Sequence, residues 1–228
     1  MGCWPDDSPR VLWADNHLLA LAKPFNMPVM GDESGDANLL DWGRAWLERE
    51  GKKAGRAYIG LLHRLDRPAA GIVLLARTSK AAARLGGQFK RRTVHKEYRA
   101  WVEGLPPVEG RLEHFLLKDA ESRRTRVVGE HEGLEARLGY ERLQVRQLGR
   151  GRVASEVAIL LETGRPHQIR AQFAHEGHPL LGDVKYGAGA ALPLGHLALF
   201  ARAIRFAAVT GGHRLSLEAP LPRDWGQW

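Results

Sequence analysis

One carboxylate stands among three bases in the stretch HRLDRPAAGIVLLA, residues 63–76. Asp66 is flanked by His63, Arg64 and Arg67, and the apolar run GIVLLA follows at once. An acid so placed is expected as its anion. That disfavours a general acid and suits a nucleophile or an electrostatic partner. The commoner work of a loop aspartate is a turn or a salt bridge. A second segment, TGRPHQIR at 163–170, breaks a local rule. If Pro166 opens a helix, Arg165 falls at the N-cap, where it offers no acceptor and meets the positive end of the helix dipole. A rule broken without evident gain points to function. Arg165 and the free amides of a first turn would together receive a carboxylate or a phosphate.

Other chemistries find weaker support. HEGH at 175–178 spaces its histidines i, i+3 across Gly177, whereas two zinc ligands on one helix need i, i+4. GDESG at 31–35 puts its serine one place late for a nucleophile elbow. No phosphate-binding glycine pattern follows a strand. Cys3 is the one cysteine, too few for an internal disulfide or a thiolate cluster. Neither a metal nor an organic cofactor is expected.

Lys and Arg number 34 against 26 Asp and Glu, a net +8, which favours polyanionic partners. The bases cluster in KRRTVHKEYR (90–99), SRRTR (122–126) and RQLGRGR (146–152), as a groove tracking a nucleic-acid backbone requires. Apolar residues make up 44 %, enough for a sizeable core. No uninterrupted apolar run reaches the ~18 residues of a membrane span, and MGCWPDDSPR is unlike a secretory signal. A soluble cytoplasmic monomer is expected.

The elements that must position these residues follow from patterning. Two strands flank Asp15–Asn16 within 11–24, a helix covers 36–50, and 71–76 is a strand, which puts Asp66 in a strand-to-strand loop. A helix with Ser79 as N-cap spans 79–92, and a strand at 96–104 carries Tyr98 and Ala100 on one face. Strands follow at 111–117, 135–147 and 153–162, with a phase shift between Tyr140 and Leu143 that predicts a bulge. A helix at 164–177 begins with Pro166, and 196–220 reads as strand, Gly-Gly turn, strand. The polar stretch 118–134 is expected to be a surface loop. The fold class is α/β of the α+β type: a single domain, 1–228, on a mixed, largely antiparallel sheet flanked by helices, with two lobes around a central cleft.

ALAKP with MPV, HRLDRP with GIVLLAR, HKEYRAWVEG and LETGRPHQIRAQFAHEGHPLLGDVKYG occur in that order over most of residues 11–187. Together they resemble the RluA-type family of RNA pseudouridine synthases, which isomerise uridine in RNA without metal or organic cofactor. The resemblance implies that Asp66 is the catalytic aspartate, that Arg165 pairs with it, and that Tyr98 stacks on the target base near its C5. Arg64 would enter the RNA stack where the base leaves. Lys23, His63, Arg67, Lys96, His167, Gln168, Ile169 and Arg170, in the same motifs, are expected to bind substrate. The target must be flipped out of the stack; transfer RNA and large-subunit ribosomal RNA are both open as partners. No separate N-terminal RNA-binding domain is expected. The chain departs from the family pattern at Ala69–Ala70, where a hydroxyl residue usually precedes the glycine, and at Phe25–Asn26, where a small residue and Gly are usual. A glycoside hydrolase would need a second carboxylate; Asp183 is expected instead to shape the GDVKYG turn.

Overall fold

The structure is a computed structural model and describes residues 8–51, 57–149 and 151–227. The chain forms two compact units. The first joins the described residues up to His95 to Ala201–Trp225, and the second runs from Lys96 to Phe200 with the tail from Gly226. Every strand pair with a described register is antiparallel.

In the first unit, β1 (Arg10–Ala14) and β2 (Leu18–Lys23) form a hairpin. Its turn is made by Asp15, whose Oδ1 accepts from the amides of His17 and Leu18, each at 2.7 Å. Helix α1 (Leu39–Gly51) and the two-residue β3 (Gly60–Leu61) follow, then β4 (Ala70–Ala76). Every residue of β2 and β4 is buried, which is why both read as continuous apolar runs rather than alternating ones. Helix α2 (Ser79–Lys90) is capped by Thr78, whose Oγ1 accepts from the Ala81 amide at 3.1 Å. The cap therefore lies one residue before the expected Ser79. Late in the chain, β10 (Leu199–Ala207) and β11 (Arg214–Glu218) form the hairpin expected around Gly211–Gly212. The strand order is β1-β2-β4-β10, with β3 beside β4 and β11 beside β10. Gly71 lets β4 approach its neighbour: φ is 119°, and a Cβ there would lie 2.3 Å from the Ala201 carbonyl oxygen.

In the second unit the order is β5 (His95–Glu103), β9 (Arg152–Leu161), β8 (Leu134–Gly149), β6 (Glu109–Lys118) and β7 (Thr125–Val128). Tyr98 and Ala100 are both buried on β5, as their shared face requires. The β8–β9 register shifts between Arg142 and Gln144, so the bulge falls at the end of the expected interval. β7 corrects the reading of 118–134 as a loop: it pairs with β6 from Phe115↔Val128 to Lys118↔Thr125. As a short, basic edge strand it lacks the apolar alternation that marks a half-buried one.

Helix α3 (Gln168–His175) starts two residues later than Pro166 predicts. Pro166 and His167 instead occupy the middle of a turn closed by the Gln168 amide on the Arg165 carbonyl at 3.2 Å. His167 has φ 51°, so the turn has proline second and a left-handed residue third, the type II pattern. Arg165 is therefore not an N-cap.

Candidate active site

The first unit carries Lys23, His63, Arg64, Asp66 and Arg67; the second carries Lys96, Tyr98, Arg165, His167, Gln168, Ile169 and Arg170.

Asp66 is half-buried in the β3–β4 loop, between buried Leu65 and the turn closed by the Ala69 amide on the Asp66 carbonyl at 3.1 Å. The three bases seen beside it do different things. His63 Nε2 accepts from the Leu74 amide at 2.9 Å, and its ring stacks on Phe89 at 5.2 Å, so His63 ties the loop to β4 and α2. Arg67 Nε donates to the Asn26 carbonyl at 3.1 Å and Nη1 to Ser34 Oγ at 3.1 Å, and its guanidinium pairs with Asp36 and with Asp32. Those acids offset its charge. Arg64 is exposed and has no hydrogen-bond or ion-pair partner among the described residues.

The cation most tightly built into this loop is Lys23. It pairs with Gly71 in the β2–β4 ladder and is fully buried. Its Nζ donates to the carbonyls of Pro24 at 2.9 Å, Met27 at 2.8 Å and Arg67 at 3.0 Å. All three ammonium protons are thus used, and the residue after Asp66 is fixed by one of them. Burial lowers its pKa to about 7, opposed by the charge of Asp66 and reinforced by that of Arg67. Lys23 thus spends its ammonium on the backbone of the loop.

Asn26, one of the departures from the family pattern, has φ 58°. Asn tolerates that conformation better than other non-glycine residues, so the backbone asks for glycine or its nearest substitute. Ala69 and Ala70 are buried.

In the second unit a glutamine-centred network, joined by the Lys96 ammonium and the Arg170–Asp183 pair, holds the 163–170 segment. Gln168 Oε1 accepts from the Thr163 hydroxyl at 2.7 Å and from the Arg165 amide at 3.0 Å. Its Nε2 donates to the Arg137 carbonyl at 3.1 Å and to Gln172 Oε1 at 3.0 Å. Arg165 Nε donates to the Glu135 carbonyl at 2.9 Å, while its Nη groups have no partner among the described residues. Lys96 donates to the Thr163 carbonyl at 3.2 Å, and burial lowers its pKa to about 8. Arg170 is buried and grips Asp183 with two bonds, at 2.7 and 2.8 Å, under the Tyr186 ring at 4.9 Å. Tyr186 also bonds His167 Nδ1 at 2.8 Å. The polar groups of Gln168 and Arg170 are bonded inside the protein, and Ile169 is buried beside them. Asp183 shapes its turn as expected.

The HEGH histidines diverge. His178 Nδ1 meets the Glu103 carbonyl at 2.9 Å, whereas His175 lies edge-on to His114 at 5.0 Å, beside Glu176. Gln172 Nε2 donates to the Leu112 and Ala136 carbonyls, and lies 3.1 Å from His114 Nδ1. Both protons of that amide go to the two carbonyls, and His114 Nε2 lies 3.0 Å from Glu176 Oε1.

The architecture is the pseudouridine synthase fold: human RNA Pseudouridylate Synthase Domain Containing 4 superposes with a TM-score of 0.77 at 23 % identity, over 94 % of this chain and 89 % of that one. A sequence profile described as RNA pseudouridylate synthase matches residues 17–175, more than half of the chain, and the chain belongs to that family. It is an RNA pseudouridine synthase of the RluA type, an isomerase. It is 32 % identical over 235 residues to ribosomal large subunit pseudouridine synthase D of Xanthomonas campestris, covering 96 % of this chain and 68 % of that one. Ribosomal large subunit pseudouridine synthase D of Zymomonas mobilis is 29 % identical over 233 residues, 96 % of this chain and 72 % of that one. Among the described residues no helix is long and apolar enough to cross a membrane.

Proposed function

We propose that this enzyme isomerises a uridine of large-subunit ribosomal RNA, with Asp66 as the catalytic carboxylate. The observation that carries the assignment is the loop itself. Its acid is fixed from below through Lys23 and Arg67, and Arg64, two residues earlier, is exposed and has no partner among the described residues. The names of the relatives favour ribosomal over transfer RNA. The family match runs through the division between the units at residue 95, which supports one catalytic domain; action as a monomer in the cytoplasm is part of the same proposal.

The base must leave C1′, turn, and rejoin through C5. The Asp66 anion attacks the nucleoside or assists loss of the base, Arg165 supplies the opposing cation through its open Nη groups, and the proton released from C5 passes to a nearby base. Tyr98 stacks on the uracil. Arg64 takes the place of the flipped base, as a planar guanidinium can.

The test uses ribosomal RNA carrying tritium at uridine C5, with transfer RNA as the comparison. Wild type releases tritium from ribosomal RNA and leaves the chain intact. Asp66→Asn is expected to lower turnover by about three orders of magnitude with RNA affinity retained. Turnover within about tenfold of wild type would reject Asp66; release from transfer RNA alone would reject the ribosomal target.

A further inference from the structure

A groove of about 460 Å³ runs between α2 and the β10–β11 turn, with Arg84, Gly87, Gln88 and Arg91 on one wall and Gly211 and Gly212 on the other. Its walls are fixed. Gln88 clasps Ala207 with both ends of its amide, Nε2 donating to the carbonyl at 2.8 Å and Oε1 accepting from the amide at 2.9 Å. Arg84 donates to the Val209 carbonyl.

The glycines are unusual. Gly86 and Gly87 sit inside α2, where each costs about 1 kcal/mol relative to alanine. A Cβ on Gly86 would meet nothing within 4 Å, and one on Gly87 would first meet the flexible end of Arg91, with Nη1 at 3.1 Å. Packing therefore demands neither. What Gly87 permits is for the Arg91 guanidinium to lie back along the groove. Opposite it, Gly211 and Gly212 have φ of 79° and 67° and present backbone without side chains. Arg91 is exposed, and its side chain has no acid or other acceptor among the described residues. Among the described residues no carboxylate lines the groove.

Guanidinium groups over bare backbone, with no acid to neutralise them, suit a phosphate oxyanion. We infer that this groove takes a phosphodiester of the substrate RNA backbone, away from the uridine being isomerised, with Arg91 as its main contact. The inference rests on the RNA reading above. It also gives α2 two tasks, since Phe89 of the same helix stacks on His63 of the Asp66 loop.

The experiment measures dissociation constants of a ribosomal RNA stem-loop over a range of salt, and melting temperatures, for three variants. Arg91→Gln should weaken binding roughly fivefold at about 0.1 M salt and reduce the slope of log K against log salt by about 0.7–0.9, one phosphate's share. Gly87→Ala should weaken binding while holding or raising the melting temperature, because the helix improves as the groove fills. Gly86→Ala, outside the groove, should raise the melting temperature and leave affinity unchanged. Arg91→Gln with wild-type affinity and slope would overturn the groove even if the enzyme isomerises ribosomal RNA. Absence of turnover by wild type on any RNA would instead reject the functional reading.

Discussion

The Asp66 loop and the 163–170 segment are fixed by opposite means. Under Asp66 lies a buried ammonium whose protons are shared among three carbonyls. Under Arg165 lie a glutamine amide and a threonine hydroxyl, with no formal charge in the clasp itself. A buried charge fixes backbone and biases the electrostatics of a neighbouring carboxylate together, at the cost of sensitivity to pH. A neutral clasp fixes geometry alone and leaves the guanidinium fork available. The chain has thus put a charged support beneath the anion and, at the Arg165 amide itself, a neutral one beneath the cation.

Three substitutions or conditions probe that contrast. Lys23→Met removes a side-chain donor from three carbonyls in a water-poor site, and should cost about 3 kcal/mol or more in denaturant unfolding; a loss under about 1 kcal/mol would mean that the ammonium is not the clamp. Gln172→Leu strips donors from the Leu112 and Ala136 carbonyls and a partner from Gln168. It should cost about 2 kcal/mol, equally at pH 6 and pH 9. The smallest effect separates the two supports by pH. Folded Lys23 gives up its proton near pH 7, whereas the unfolded chain holds it to about 10.5. The unfolded state therefore binds more protons between those values, and stability rises with pH there. Wild type should gain about 1 kcal/mol over Lys23→Met from pH 7 to 8, while the gap to Gln172→Leu stays flat. Comparing variants cancels Lys96, whose lowered pKa acts in the same direction.

The acid-bearing loop was legible because a lone carboxylate among bases, before an apolar strand, is a local pattern. The all-buried β2 and β4 and the Asp15 turn were legible for the same reason. The support for Asp66 was not: Lys23 ends a strand and reads as an ordinary terminal cation until the β2–β4 register sets it beneath a loop that lies 43 residues further on. Arg165 drew attention through a cap argument that the structure corrects, because Pro166 precedes a left-handed His167 rather than opening the helix. What holds His167 there is Tyr186, nineteen residues away, and no local signal carries that contact. Arg67 counted as a base beside Asp66, yet its charge is met by Asp32 and Asp36 from a loop whose acids looked unrelated.

Gly71 packs against the backbone of Ala201, and that contact sets an order of events during synthesis. The second unit is essentially one continuous run, Lys96–Phe200, while the first must wait for the chain to return at Ala201. Asp66 leaves the ribosome 135 residues before Ala201 does, an interval of roughly seven to twenty-seven seconds at ordinary translation rates. Through that interval β4 lacks its neighbour β10. The strand that follows the carboxylate is thus made early and flanked late, although the supports of the acid's own loop are already in the chain.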